Sequence, residues 1–417
     1  MKKEKSVQNL IIFAYFIFNI YYFYRYLFQY NSEITSPTYS NSPLGFQVAK
    51  YVIAIGILSL LFVLLFVNNV IDSVKINVRV PELLMILCIL FCFIKSVQQS
   101  DFDYFIKYFL FMLVAYGVIF IQNDSFEKRF IKINKIIFYY HLVYSLLQIL
   151  LFVSVGRLPA LAYRAGLVRF GGGWDDPNAF ALYLIIPYTY LLNLILGPKA
   201  PKKKCKLYIL LITSIILEIL TFSFTGYLSF LIASVCIAVK QRDSKKLPKL
   251  LLIALIAVML VCTVAFRKII ALISLKSGSL LIHFGSLNLL GEGGFKELLI
   301  GSGSYQFYEN HFKIVLANFG IPYFLLNLCL SVYFIVIGYR VQKHYGDNNV
   351  YFVCSLFVFI YTVVQFALPF SIIFPVNFIY WVAAFMLLGK YRLMQKQDAR
   401  NRKTALLEKR ALDKRYV

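Results

Sequence analysis

Arg169-Phe-Gly-Gly-Gly-Trp-Asp-Asp-Pro-Asn178 leads directly into Ala179-Phe-Ala-Leu-Tyr-Leu-Ile-Ile-Pro-Tyr-Thr-Tyr-Leu-Leu-Asn-Leu-Ile-Leu-Gly197. The second half of this stretch carries no charge and has the length of a bilayer helix, roughly 17–25 residues. The first half packs a cation, three glycines and two carboxylates onto the mouth of that helix. Asp176, Pro177 and Asn178 read as its start: a carboxylate or amide can cap free N–H groups, and proline suits the first turn. A polar, glycine-rich segment at membrane depth is costly unless protein buries it or it binds something.

Working outward, the apolar pattern repeats. Hydrophobic residues are 60% of the 417 and charged residues 15%, which excludes a soluble globule. The sequence predicts an all-α, polytopic membrane protein of about twelve spans, at 7–30, 47–72, 83–98, 104–122, 136–155, 179–197, 207–221, 226–239, 250–266, 313–339, 350–367 and 374–389. They form one bundle, residues 1–389, with outer loops at 156–178 and 267–312. A basic tail, 390–417, is expected as a solvated helix or a disordered arm. Lys2, Lys3 and Lys5 precede an apolar run without a small-residue cleavage site, so a first membrane helix is expected rather than a removed signal.

The net charge of +24 is a topology signal rather than a nucleic-acid signal. With the N-terminus in the cytoplasm, 31 of the 43 Lys and Arg residues fall in cytoplasmic loops and tails, and both termini lie inside. The seven cysteines are scattered, mostly inside apolar runs, with no Cys-x-x-Cys pair and no Cys/His cluster, so neither a disulfide framework nor a metal site is indicated.

Three constellations carry chemistry. In the first, the positive end of the helix at Asp176, close backbone approach at Gly172, and the forked donors of Arg164 and Arg169 suit a phosphate. Arginines on the outer side also run against the positive-inside bias. In the second, Gly301-Ser-Gly-Ser-Tyr305 leads to Glu309-Asn310-His311 at the outer end of a span. A carboxylate or imidazole there could serve as general base for a sugar hydroxyl, and a plain helix cap is the competing reading. In the third, Thr221-Phe-Ser223-Phe-Thr225-Gly226 breaks two apolar runs as a tight turn whose hydroxyls could line a cavity. Glu218, one turn earlier, is an intramembrane carboxylate and so a functional candidate. His141 reads as a packed, hydrogen-bonded histidine.

At these residues the chain resembles the O-antigen polymerase and O-antigen ligase superfamily of bacterial envelope glycosyltransferases, over about residues 160–335. Arg169-x-x-Gly172-x-Trp174-x-x-Pro177-Asn178, Ser223-x-Thr225-Gly226, and Gly301-x-Gly303 with Asn310 and Leu316-Ala-Asn-Phe-Gly320 are similar to its motifs. Two departures stand out. Where the family has His before Asn this chain has Glu309, with His311 on the other side of Asn310. Where the family has a second Arg before Gly-x-Gly, the charge here would come from Arg267 or Lys276.

The resemblance implies a GT-C-like fold in the inner membrane with its site facing the periplasm. It implies an undecaprenyl-pyrophosphate-linked donor and acceptor, no cofactor and no metal, and it admits a chain-length regulator as partner. Carried onto this sequence, Arg169, Arg164, Gly172, Arg267 and Lys276 would hold the pyrophosphate. Glu309, with Asp175 in reserve, would be the base. Asn178, Trp174, Asn310, His311, Ser223 and Tyr305 would meet the sugars. The activity implied is repeat-unit polymerisation, with ligation to lipid A core and lipid-linked oligosaccharide transport as alternatives.

Overall fold

The computed structural model describes residues 2–21, 44–67, 79–121, 124–155, 161–164, 167–174, 176–197, 204–241, 295–308, 310–346 and 349–413. Helices dominate: α1 (Lys2–Ile20), α2 (Leu44–Val67), α3 (Val80–Gln99), α4 (Asp103–Phe105), α5 (Phe111–Tyr116), α6 (Asp124–Val155), α7 (Pro177–Leu196), α8 (Lys204–Thr221), α9 (Phe224–Lys240), α10 (Phe295–Ile300), α11 (His311–His344), α12 (Asn349–Val364) and α13 (Val376–Asp413). Among the described residues, five stretches are long and apolar enough to cross a membrane: Val48–Phe66, Val80–Gln99, Phe126–Ser154, Pro177–Leu196 and His311–His344. Shorter apolar helices join them, and the chain reads as a multi-pass membrane protein.

Burial separates centre from rim. The window within Pro177–Leu196 is 83% buried, against 22% for Val48–Phe66, so α7 is the axis of the bundle and α2 shows most of its apolar surface to the outside. A helix hydrophobic all round belongs inside a bundle or in lipid, and these two show both cases.

Several elements differ from the expected spans. The one expected at 104–122 is broken into α4, a π-helical stretch (Ile106–Leu110), α5 and a 3-10 turn (Gly117–Ile121). The one expected at 374–389 does not stop before the basic tail but continues as one helix to Asp413. Within α11 the chain kinks at Gly320, whose φ is 79°, just before Pro322. The span expected at 250–266 lies outside the described residues.

The loop at 156–178 is not wholly irregular: the otherwise all-helical chain carries one short hairpin there. Strands β1 (Leu161–Arg164) and β2 (Leu167–Phe170) pair antiparallel, with Ala162 opposite Arg169 and Arg164 opposite Leu167. Alternation along β2 then sends Arg169 and Phe170 to opposite faces. Phe170 packs with Ile149, Phe152 and Leu220.

The bundle has two distinct ends. At one, Glu127 accepts from Lys390 (3.2 Å) and from the Tyr351 hydroxyl, and Glu82 pairs with Arg392. Lys128, Arg129, Lys132 and Lys135 stand on the first turns of α6, beside Glu127. α7 finishes at this basic end, where Asn193 donates to Asn349 (2.6 Å) at the start of α12 and accepts from Gln241 (2.9 Å) beyond α9.

Candidate functional site

At the other end of α7, side chains from two sequence motifs meet on one atom. Asp176 caps the helix, its Oδ1 accepting from the Asn178 backbone N–H (2.8 Å) and from Asn178 Nδ2 (3.0 Å). This is the expected helix start. The amide is thereby oriented with Asn178 Oδ1 turned outward from the cap. Arg169 Nη2 donates to that oxygen at 2.7 Å and Ser223 Oγ at 2.8 Å. Arg169 Nε donates to the Thr221 carbonyl at 2.9 Å, and Ser223 Oγ in turn accepts the Gly226 N–H, capping α9.

Arg169 is only 7% exposed and Asp176 only 6%. A charge at such burial is tolerable only with partners that satisfy it. Burial pushes the Asp176 carboxyl up, while the Asn178 N–H and the Arg169 guanidinium act the other way. The cation is thus held rigidly by a carbonyl, an amide and the field of a carboxylate.

Beneath this node lies a tight packing layer. Gly172 has φ +57, and a Cβ there would stand 2.1 Å from the Phe180 ring. Its carbonyl accepts from His141 Nδ1 at 2.6 Å, which also fixes the tautomer. His141 is therefore packed and hydrogen-bonded, as its sequence context suggests. Trp174 is 1% exposed, and its indole N–H donates to the Asn19 carbonyl at 2.8 Å. The structure thus places Gly172 against an aromatic ring and Trp174 in the core, with its donor already engaged. Arg164 pairs along the hairpin through its backbone. Asp175, Glu309, Arg267 and Lys276 lie outside the described residues.

The third motif builds a second cluster. Gly301 and Gly320 both have φ near +79, and two backbones cross where they lie. A Cβ on Gly301 would sit 2.3 Å from the Asn318 carbonyl oxygen, and one on Gly320 would sit 2.5 Å from that of Leu299. Only glycine fits both the conformation and the space. Asn318 zips the following loop to the helix: Nδ2 donates to the Gln306 carbonyl (2.7 Å) and Oδ1 accepts the Gln306 N–H (2.6 Å). Tyr305 is half-buried beside Tyr104, and burial pushes its phenol up. Asn310 caps α11 through the Lys313 N–H.

His311 lies fully buried between aromatic rings, stacked with Tyr104 and Tyr108. Its Nδ1 lies 2.5 Å from Ser371 Oγ and its Nε2 3.4 Å from Asn327 Oδ1, while Asn327 Nδ2 donates to Tyr108 OH at 3.0 Å. The four side chains make one polar chain from three segments of the chain: the π-helical stretch, α11 and the 3-10 turn at 370–372. Sequence reading singled out neither Ser371 nor Asn327. It also passed over Gln99, whose Nε2 donates to the carbonyls of Ser302 (3.0 Å) and Asn318 (2.8 Å) and ties α3 to this cluster. The signal for Gln99 was faint: a Gln-Gln-Ser run where an apolar helix ends.

Both clusters stand at the same end of the bundle. α7 leaves the Arg169 node and reaches α12 at Asn193–Asn349. α12 packs along α7 and ends just before Gln365, whose carbonyl accepts the His311 N–H at 3.0 Å.

Beside the Arg169 node, one more group stands out. Glu218 is 2% exposed, and neither carboxyl oxygen has a hydrogen-bond partner among the described residues. It lies directly under Gly226, where a Cβ would be 2.0 Å from its Oε1. On α6, His141, Ser145 and Gln148 form a buried stripe, each with at least one unpartnered polar atom among the described residues. Buried polar atoms in native structures are normally satisfied, so such a concentration is a candidate binding surface. No family model, curated protein or solved structure matches this chain.

Proposed function

We propose that this chain is a membrane glycosyltransferase of about twelve spans that polymerises lipid-linked oligosaccharide repeat units at the outer face of the inner membrane, with both termini cytoplasmic. The observation that supports it most is the junction of Arg169, Asn178 and Ser223 at the start of the central helix. Two of the three motifs that carry the resemblance share one hydrogen-bonded atom there. An immobilised guanidinium beside a helix N-terminus is a pre-organised positive field, the arrangement that stabilises charge developing on a leaving diphosphate.

In this reading the acceptor sugar hydroxyl attacks the anomeric carbon of the donor glycan. The bond from that carbon to the pyrophosphate oxygen breaks, and undecaprenyl pyrophosphate leaves with its negative charge facing Arg169, and Arg164 beside it. The hydroxyl proton passes to a carboxylate, assigned to Glu309 with Asp175 in reserve. Tyr305 lines the approach of the sugars, and Ser223 and Asn310 hold the helix starts behind it. The leaving group is already activated, so neither nucleotide nor metal is required.

Purified protein in liposomes, given a synthetic undecaprenyl-pyrophosphate-linked repeat unit, should produce a ladder of longer glycans without added metal or nucleotide. Arg169→Ala should abolish the ladder. Purified active protein whose ladder is unchanged by that substitution would remove the assigned role, and absence of any elongation would remove the enzyme reading. A second reading, a lipid-linked oligosaccharide flippase, draws on the buried polar stripe of α6 and on Glu218. It predicts movement of the lipid across the bilayer without any change in glycan length.

A further inference from the structure

A groove separate from the Arg169 node opens between α6, α7, α8, α12 and α13, towards the basic end of the bundle. It encloses about 350 Å³, and its walls are almost wholly apolar: Phe138, Leu191, Leu207 and Phe357 are among them. Along α7 it runs from Leu194 to Tyr183, about 16 Å at a helical rise of ~1.5 Å per residue. Two exposed lysines from different helices, Lys135 on α6 and Lys206 on α8, belong to its lining, and no carboxylate does among the described residues. Lys206 Nζ lies over the Tyr139 ring, 5.8 Å from its centroid. Lys128 and Lys132 continue the same side of α6 at spacings of three and four.

We propose that this groove binds an anionic phospholipid from the leaflet at the basic end, with one acyl chain lying along α7 and the phosphate drawn to Lys135 and Lys206. Burial of the acyl chain gives no selectivity, because lipid tails are as apolar as the groove wall. The headgroup sets the preference. Basic pockets between membrane helices favour anionic headgroups by roughly fivefold for each lysine at the surface. The inner end of the groove is Tyr183, whose ring packs on Trp174 (5.2 Å) and His141 (4.9 Å), the layer beneath the Arg169 node. An occupied groove thus braces the floor of the candidate site from the opposite end.

Native mass spectrometry of the detergent-purified protein tests this with phosphatidylglycerol and phosphatidylcholine of identical chains. Retention of phosphatidylglycerol should exceed that of phosphatidylcholine by about tenfold or more. Lys135→Gln with Lys206→Gln should bring the two to parity, and these exposed positions leave the fold intact. A photoreactive residue at Leu207 should label the lipid acyl chain. Equal retention of the two lipids, or a preference indifferent to the lysine substitutions, would overturn the proposal. So would labelling of the chain's own residues 250–266, or labelling only by the tail of a lipid-linked oligosaccharide. None of these outcomes depends on the enzyme reading, which is tested by elongation alone.

Discussion

Arg169 and Asn178 should be energetically coupled, and the coupling can be measured. Asn178→Ala removes three bonds: the charge-assisted one from Arg169 Nη2, the one from Ser223 Oγ, and the amide's own donation to Asp176. A bond to a charged group contributes about 1.5–3 kcal/mol and a neutral one about 0.5–1.5. The single substitution should therefore cost about 3–4 kcal/mol. Arg169→Met should cost a similar amount, because it also leaves the Thr221 carbonyl without this donor. The double variant should cost less than the sum, by about 1.5 kcal/mol. That figure lies above the mean of about 0.6 kcal/mol for side-chain hydrogen bonds between membrane helices, because one partner is a buried cation. Unfolding by SDS, followed through tryptophan fluorescence, is a suitable assay: the chain has two tryptophans, and Trp174 lies just beneath the node. Additivity within about 0.3 kcal/mol would mean that the pair does not act as a unit, and the pre-organised cation would have to be abandoned.

Gly226→Ala should destabilise by about 1–3 kcal/mol, because its Cβ would lie 2.0 Å from Glu218 Oε1 and 2.6 Å from the Ala181 Cβ. Adding Glu218→Ala should restore part of that loss in a thermal-unfolding measurement, and no restoration would contradict the close approach. Gly320→Ala forces a side chain into φ +79 and against the Leu299 carbonyl, so the yield of folded protein on size exclusion should collapse, and wild-type yield would refute the crossing. Burial raises the folded-state pKa of Asp176, so its stabilising contribution is fully present only at low pH and is lost as pH rises through that raised value. Asp176→Asn keeps a capping oxygen, so its melting temperature relative to wild type should be most favourable at neutral pH and should fall as pH drops through the carboxylate range. A difference independent of pH would show that burial does not set this group's charge.

Much of the architecture was legible because lipid imposes a simple code. Apolar runs of bilayer length, the Asp176-Pro177-Asn178 start and the Ser223 turn are local patterns, and the helices form at nearly the expected places. The break inside 103–121 and the continuation of α13 to Asp413 were not legible. Hydropathy reports where a segment prefers lipid, not where its backbone changes pitch or how far a helix runs into water. The hairpin at 161–170 escaped notice because its strands are only four residues long.

The sequence alone determined that this chain belongs in a membrane, roughly where most of the described helices lie, and which short polar stretches interrupt the apolar runs. It could not reveal that Arg169 and Ser223 share one oxygen of Asn178, that Glu218 lies beneath Gly226 with no hydrogen-bond partner among the described residues, or that His311 joins Ser371 and Asn327. Those contacts link residues far apart in the chain. They exist only because the helices pack around one another, and burial, rather than any local pattern, drives most polar atoms there to find a partner.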